Sequence, residues 1–135
     1  GIKSGMEVAV ACPNGYKPDA DICKWADENG TFTCTEDIAA AVKDADAVYT
    51  DVWASMGQED EKAEREKIFK SFQVNEEFMS LAHKDAMVMH CLPAHRGEEI
   101  TAETFEKHAD EIFDEAENRL HAQKAVMVLT MGDKK

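Results

Sequence analysis

Short apolar runs alternate along this chain with segments whose apolar residues recur every three or four positions, and that alternation predicts strands interleaved with helices. Met6–Cys12 is the first β-type run, closed by Pro13-Asn14-Gly15, whose proline and Asn-Gly pair turn the backbone out of a sheet. Pro18 and Asp19 open an amphipathic segment with Ile22, Trp25 and Ala26 on one face; Gly30 stops it, so a helix is expected over 19–29. Thr31–Thr35 is rich in β-formers, and Thr35 can cap a helix over Glu36–Lys43 with Ile38, Ala41 and Val42 as its stripe. Ala45–Val52 returns to a strand pattern and runs through Asp51 into the small-residue turn Ala54-Ser55-Met56-Gly57.

Gln58–Lys67 alternates charge sign, the pattern of a solvated helix face laced with i,i+4 pairs, and Ile68, Phe69 and Phe72 dock its far end. Asn75 is a cap for a short helix over Glu76–His83. Ala86–His90 begins with four consecutive apolar residues, which suits a parallel strand covered on both faces, and Pro93 cannot donate to a ladder, so the strand should stop near Cys91. Thr101 starts a helix through Phe105, Ile112-Phe113 reads as a brief apolar step, and Glu115–Thr130 as a long helix with Ala116, Leu120, Gln123 or Lys124, and Met127 on one face. Strands alternating with helices of crossover length predict an α/β fold, a parallel sheet with helices on both faces. No repeat, low-complexity tract or Gly/Ser linker divides the 135 residues, so one domain over 1–135 is expected.

Charge narrows the partners. Twenty-eight acidic against 15 basic residues leave a formal charge of −13, which repels phosphate backbones and anionic lipid, so neither nucleic acid nor membrane is expected as a partner. No apolar run approaches the roughly 18 residues of a transmembrane helix, and the start shows no signal-peptide progression; a cytoplasmic location is the expectation. Cys12, Cys23, Cys34 and Cys91 form no C-x-x-C pair, which points to free buried thiols. Gly1-Ile2-Lys3-Ser4-Gly5 lacks a methionine at position 1 and reads as a helix tail entering a glycine turn, the pattern of a chain continued upstream.

Candidate chemistry gathers at two strand tips, Asp51–Gly57 and His90–Gly97, which would converge at the carboxyl edge of a parallel sheet, where such folds bind ligands. A carboxylate, a hydroxyl, a thiol and two imidazoles in one crevice suit a small polar substrate. From residue types alone, Cys91 is either a nucleophile activated by a neighbouring histidine or a small buried hydrophobe. His83, His90, Cys91 and His95 could in principle ligate zinc, but their spacing matches no common zinc pattern, and no metal is expected. The seven glycines provide no G-x-G-x-x-G turn, so no nicotinamide or flavin cofactor is expected either.

Three ordered motifs carry a resemblance. Asp51-Val52-Trp53-Ala54-Ser55-Met56-Gly57, His90-Cys91-Leu92-Pro93-Ala94-His95-Arg96-Gly97 and Phe113-Asp114-Glu115-Ala116-Glu117-Asn118-Arg119-Leu120-His121-Ala122-Gln123-Lys124-Ala125 together resemble the ornithine carbamoyltransferase family, specifically its carboxy-terminal, ornithine-binding domain. The resemblance implies a Rossmann-like domain and transfer of a carbamoyl group from carbamoyl phosphate to the δ-amine of L-ornithine, giving citrulline and phosphate without a cofactor. By similarity, Asp51 would receive the α-ammonium group, with Ser55 and the backbone at Met56 completing the clamp. Cys91 would sit beside the reacting amine, where a thiolate near Asp51 could orient it or accept its proton. The carbonyls of Cys91 and Leu92 would accept from the carbamoyl NH₂, and Arg119 would face the carbamoyl oxygen, where negative charge grows in the transition state. Taken alone, Arg119 would instead suggest a surface salt bridge with Glu115 or Glu117.

The departures matter as much. Nothing here resembles the family's Ser-Thr-Arg-Thr phosphate loop or its His-Pro-x-Gln segment, both of which lie in its amino-terminal half. The domain's own first strand and Gly-Asp turn are also missing, leaving only a helix tail at Gly1–Ser4, and in the family order that strand lies mid-sheet. The family's trimers, or multiples of trimers, are built largely through the absent half. Within the same chemistry, putrescine or N-acetylornithine is the alternative acceptor, although Ser55-Met56-Gly57 favours plain ornithine. A non-catalytic α/β interaction module that keeps the motifs as scaffold is the reading from another class.

Overall fold

The computed structural model describes residues 1–54 and 61–132; Ser55 and Met56 therefore lie outside the described residues. Four strands form inside the ranges expected of them: β1 (Val8–Ala11), β2 (Phe32–Thr35), β3 (Ala47–Thr50) and β4 (Met87–His90). β1 and β3 are trimmed at both ends, whereas β2 and β4 lose only their first residue and end where expected, at Thr35 and His90. The helices are α1 (Ala20–Asn29), α2 (Ile38–Val42), α3 (Lys62–Phe69), α4 (Glu76–Met79), α5 (Ala102–Lys107) and α6 (Ala109–Met131). None of the described helices is long and apolar enough to cross a membrane.

Caps explain most helix boundaries. Asp19 accepts from the amides of Asp21 and Ile22 to start α1, and Asn75 accepts from Phe78 N–H to start α4, as expected. At α2 the expectation is corrected: Asp37, not Thr35, is the cap, accepting from Ala40 N–H at 3.0 Å. Thr35 instead accepts from Asp37 N–H at 2.9 Å, one step earlier, and delays the helix. The helix expected to reach His83 stops at Met79, because His83 N–H turns away to the carbonyl of Ala45. Ile112-Phe113 is not a separate step but part of the 23-residue α6.

β1 pairs with β2 and β3 with β4, both parallel, but the two pairs are separate two-stranded sheets. That corrects the single continuous sheet. A cavity of about 440 Å³ lies between them, lined by Ala9 and Ala11 of β1, Val48 and Thr50 of β3, and Ile38 and Val42 of α2. The break falls between β1 and β3, both of which line that cavity.

The main core is Val74, Val88, Ile100, Phe105 and Ile112, with Val48, Met79, Leu92 and Ala94 packed against it. Burying a side chain such as Ile112 contributes about 1.5–3 kcal/mol, so these few residues dominate stability. β4 follows the alternation of a strand rather than burial on both faces: Val88 and His90 are fully buried while Met87 is 45% exposed. The stripe expected on the last helix is likewise solvent-facing, with Leu120 58% and Met127 56% exposed; Ile112 is the only residue of α6 that is buried.

Candidate active site

Parallel pairing brings the two strand tips together. The register sets Thr50 beside His90, so the next residues, Asp51 and Cys91, emerge side by side. The Cys91 thiol donates to Asp51 Oδ1 at 3.2 Å. Partial burial, then the hydrogen bond to Asp51 and its negative charge, push the Cys91 pKa above the ordinary thiol value. A raised pKa favours the protonated thiol, the form that donates to Asp51, over the thiolate. Beside it, partial desolvation of the Tyr49 phenol and the neighbouring Glu115 carboxylate raise that hydroxyl's pKa well above the usual tyrosine value. Among the cysteines, all of them free, only Cys12 is buried outright.

Beyond Cys91 the backbone reverses. Leu92 has φ 52, a left-handed conformation costing an L-residue roughly 1–2 kcal/mol, and the Leu92–Pro93 peptide is cis. Leu92 N–H donates to His90 Nδ1 at 2.9 Å, so that nitrogen is an acceptor and the ring proton sits on Nε2. Nε2 in turn lies 3.0 Å from Glu99 Oε1, with both side chains fully buried. Glu99 Oε1 also accepts from His95 N–H at 2.6 Å, closing the loop back on itself. Among the described residues, no main-chain amide donates to the carbonyls of Cys91 or Leu92, which leaves both as free acceptors.

The far wall is α6. Glu111 accepts from Val88 N–H at 2.9 Å, and Glu115 accepts from His90 N–H at 2.8 Å. Two carboxylates four residues apart thus satisfy amides two residues apart on the open edge of β4. The steps match, since four helical residues rise about 6 Å and two strand residues about 6.6 Å. A third rung of the same spacing would set Arg119 opposite Leu92. Arg119 does line a cavity of about 420 Å³ together with Tyr49, Cys91, Glu115, Ala116 and Asn118. The surface salt bridge is not formed: Glu117 engages His121 at 3.0 Å, and Glu115 is bonded to the His90 amide.

Of the residues singled out in the sequence, Asp51 and Cys91 are in contact, Leu92 adjoins them, and Arg119 shares a cavity with Cys91. Asp51 itself lines the cavity between the sheets, and the two hollows meet at Tyr49, which lines both, and at the Cys91 thiol bonded to Asp51. Five further residues were missed: Tyr49, His90 in its hydrogen-bonding role, Glu99, Glu111 and Glu115. Glu111 and Glu115 carried a readable signal, an i,i+4 acidic pair one turn before Arg119, but its meaning depends on which strand edge it meets. The zinc candidates are not gathered. Instead His95, Glu98 and Glu99 lie close enough for a cation, with ligand atoms within 4.8 Å. Lys62 already holds Glu98 at 2.9 Å, and two N–H groups already occupy Glu99 Oε1, so the group reads as an ion-pair network.

Comparison with known proteins bears on this geometry. The family model described as "Aspartate/ornithine carbamoyltransferase, Asp/Orn binding domain" matches residues 1–130. The curated ornithine carbamoyltransferase of Thermococcus kodakarensis is 56% identical over 137 residues, covering 98% of this chain and 44% of that protein. The solved ornithine carbamoyltransferase of Pyrococcus furiosus superposes with a TM-score of 0.87 at 53% identity, over 99% of this chain and 44% of that one. A solved N-acetyl-L-ornithine transcarbamylase is more distant, with a TM-score of 0.76 at 33% identity, over 95% of this chain and 41% of that one. The chain thus spans less than half the length of the relatives it matches.

Proposed function

This chain belongs to the aspartate/ornithine carbamoyltransferase family, as its Asp/Orn binding domain, and on that premise we propose that residues 1–135 are the ornithine half-site of an ornithine carbamoyltransferase. The partner half-site, for carbamoyl phosphate, belongs to the additional length its relatives have. The δ-amine nitrogen of ornithine attacks the carbamoyl carbon, the bond from that carbon to the phosphate oxygen breaks, phosphate leaves, and the amine sheds a proton. No step needs a metal or an organic cofactor.

The observation that carries this reading is the Cys91–Asp51 contact, 3.2 Å long, beside a cavity walled by Arg119. Asp51 would accept from the α-ammonium group, with Ser55 and the Met56 backbone beside it. The Cys91 thiol would pack against the side-chain amine and steady Asp51. The free carbonyls of Cys91 and Leu92 would take the carbamoyl NH₂, and the Arg119 guanidinium would stabilise the negative charge growing on the carbamoyl oxygen. A cytoplasmic trimer, or a multiple of trimers, is the assembly we propose for the whole protein.

The test is phosphate release with identification of the carbamoylated product, by the full-length protein carrying these residues, with ornithine, putrescine and N-acetylornithine offered in parallel. Ornithine should give the highest kcat/KM. Cys91→Ala should lower turnover while leaving carbamoyl phosphate binding close to unchanged, because the contact there is through backbone. Preference for N-acetylornithine or putrescine would move the assignment within the family; no carbamoylated product from any acceptor would favour a non-catalytic module.

A further inference from the structure

We infer that Glu115, assisted by Glu111, is a positioning residue that sets the register of α6 on β4 and thereby holds Arg119 in the hollow it shares with Cys91; the consequence for turnover rests on the role proposed for Arg119.

The two carboxylates are the principal ties between the helix and the strand edge. Glu111 takes Val88 N–H and is itself steadied by His108 at 2.9 Å. Glu115 takes His90 N–H and lines the same hollow as Tyr49 and Arg119. Apolar packing does little of this work beyond the first turns, since Ile112 is the only buried residue of α6 and Leu120 onward is solvent-facing. Glu115 is therefore the last fixed point before Arg119, one helical turn away. Arg119 lies seven residues past Ile112, about 10 Å along the axis, so a tilt of about 10° about Ile112 would move it nearly 2 Å. That displacement exceeds the tolerance of a hydrogen bond to a growing oxyanion, and even about 1 Å of misplacement can cost on the order of 100-fold in rate.

Glutamates at these positions do a second thing: they occupy edge amides that would otherwise recruit another strand. Edge protection alone, however, requires no particular helix register. The register claim predicts coupling to one specific residue.

The experiment uses the full-length protein with Glu115→Gln, Glu115→Asp, Glu115→Ala, Arg119→Ala and the double variant Glu115→Ala/Arg119→Ala. Glutamine keeps an acceptor for His90 N–H, so its turnover should stay within a few-fold. Aspartate pulls the helix in by one methylene and alanine frees it, and both should lower kcat by about tenfold or more. KM for ornithine should change less than about twofold, because the amino acid is held through Asp51 rather than α6. In the Arg119→Ala background, Glu115→Ala should cost less than about twofold more. Multiplying losses, or a rise in KM equal to the fall in kcat, would overturn the inference. If Arg119→Ala alone leaves turnover intact, the assignment of Arg119 under the proposed function fails, and hydrogen exchange decides the register separately. Faster deuterium uptake over 116–122 in Glu115→Ala, restored in Glu115→Gln, supports it; unchanged uptake overturns it.

Discussion

The β3–β4 half and the β1–β2 half share one architecture, a parallel pair backed by helices, yet differ sharply in how they are held. Around β4 the fully buried set includes Val88, His90, Glu99, Ile100 and Ile112. Around β1 and β2 the buried residues, among those described, are only Cys12, Pro13, Ala26 and Val42. Every described residue assigned to the site, Asp51, Cys91, Leu92 and Arg119, belongs to the first half. Catalytic geometry has to be kept within fractions of an ångström, and only the well-packed half has the side-chain network for that. In the other half, β1 is hydrogen-bonded along one edge alone and faces a cavity instead of a neighbouring strand.

The largest expected effect breaks the better half. Ile112→Ala removes a fully buried side chain from the core under β4 and should cost about 2–5 kcal/mol by urea unfolding. Ile22→Ala on α1, 63% exposed, should stay within about 0.5 kcal/mol. Comparable losses would mean that the β1–β2 half is packed as tightly as its partner. A smaller effect sharpens the comparison at the site: Cys91 should alkylate more slowly at about pH 8 than an unperturbed thiol, because its pKa lies above 9.0. Asp51→Asn removes the charge and the strong acceptor, lowers that pKa, and should speed alkylation of Cys91; unchanged rates would show that burial alone holds the thiol.

Much of the better half is legible in the sequence, because strand period, Pro93 and the Asn75 cap are local signals that the tertiary structure has no reason to override. The strand tips that bring Asp51 and Cys91 together were legible from pattern, whereas Leu92 and Arg119 were singled out only through the motif resemblance. Residue types alone left Cys91 between nucleophile and buried hydrophobe, and the structure gives a third state, a thiol donating to Asp51. Glu99 was invisible, and Glu115 showed only as half of an i,i+4 acidic pair, because what distinguishes each is the partner that folding delivers: the His90 ring for one, the His90 amide for the other. The separate sheets could not be read from strand patterns either, since a run such as Val8–Ala11 looks the same whether one edge or both are paired.

The smallest predicted effect concerns charge pairs on the two halves. On the β4 side, Lys107 bonds Glu76 at 2.6 Å and staples α5 to α4. Its ammonium, the leading cause, lowers the Glu76 carboxyl pKa below 4.5. A carboxyl with a depressed folded-state pKa contributes stability above its unfolded value and loses that contribution as pH falls through the folded one. Both side chains are more than a third exposed, so solvent screening leaves about 0.5 kcal/mol at most. The corresponding surface pair on α1, Lys24 with Glu28, spans 4.0 Å between far more exposed groups and should contribute nothing measurable. Lys107→Met should thus lower stability slightly at about pH 7, and the deficit should shrink as pH drops below 4.5, whereas Lys24→Met should be neutral throughout. Urea unfolding of both variants between about pH 7 and pH 3.5 checks this. A deficit for Lys107→Met that stays constant across the range would show that its aliphatic stem, not its charge, is what joins the two helices.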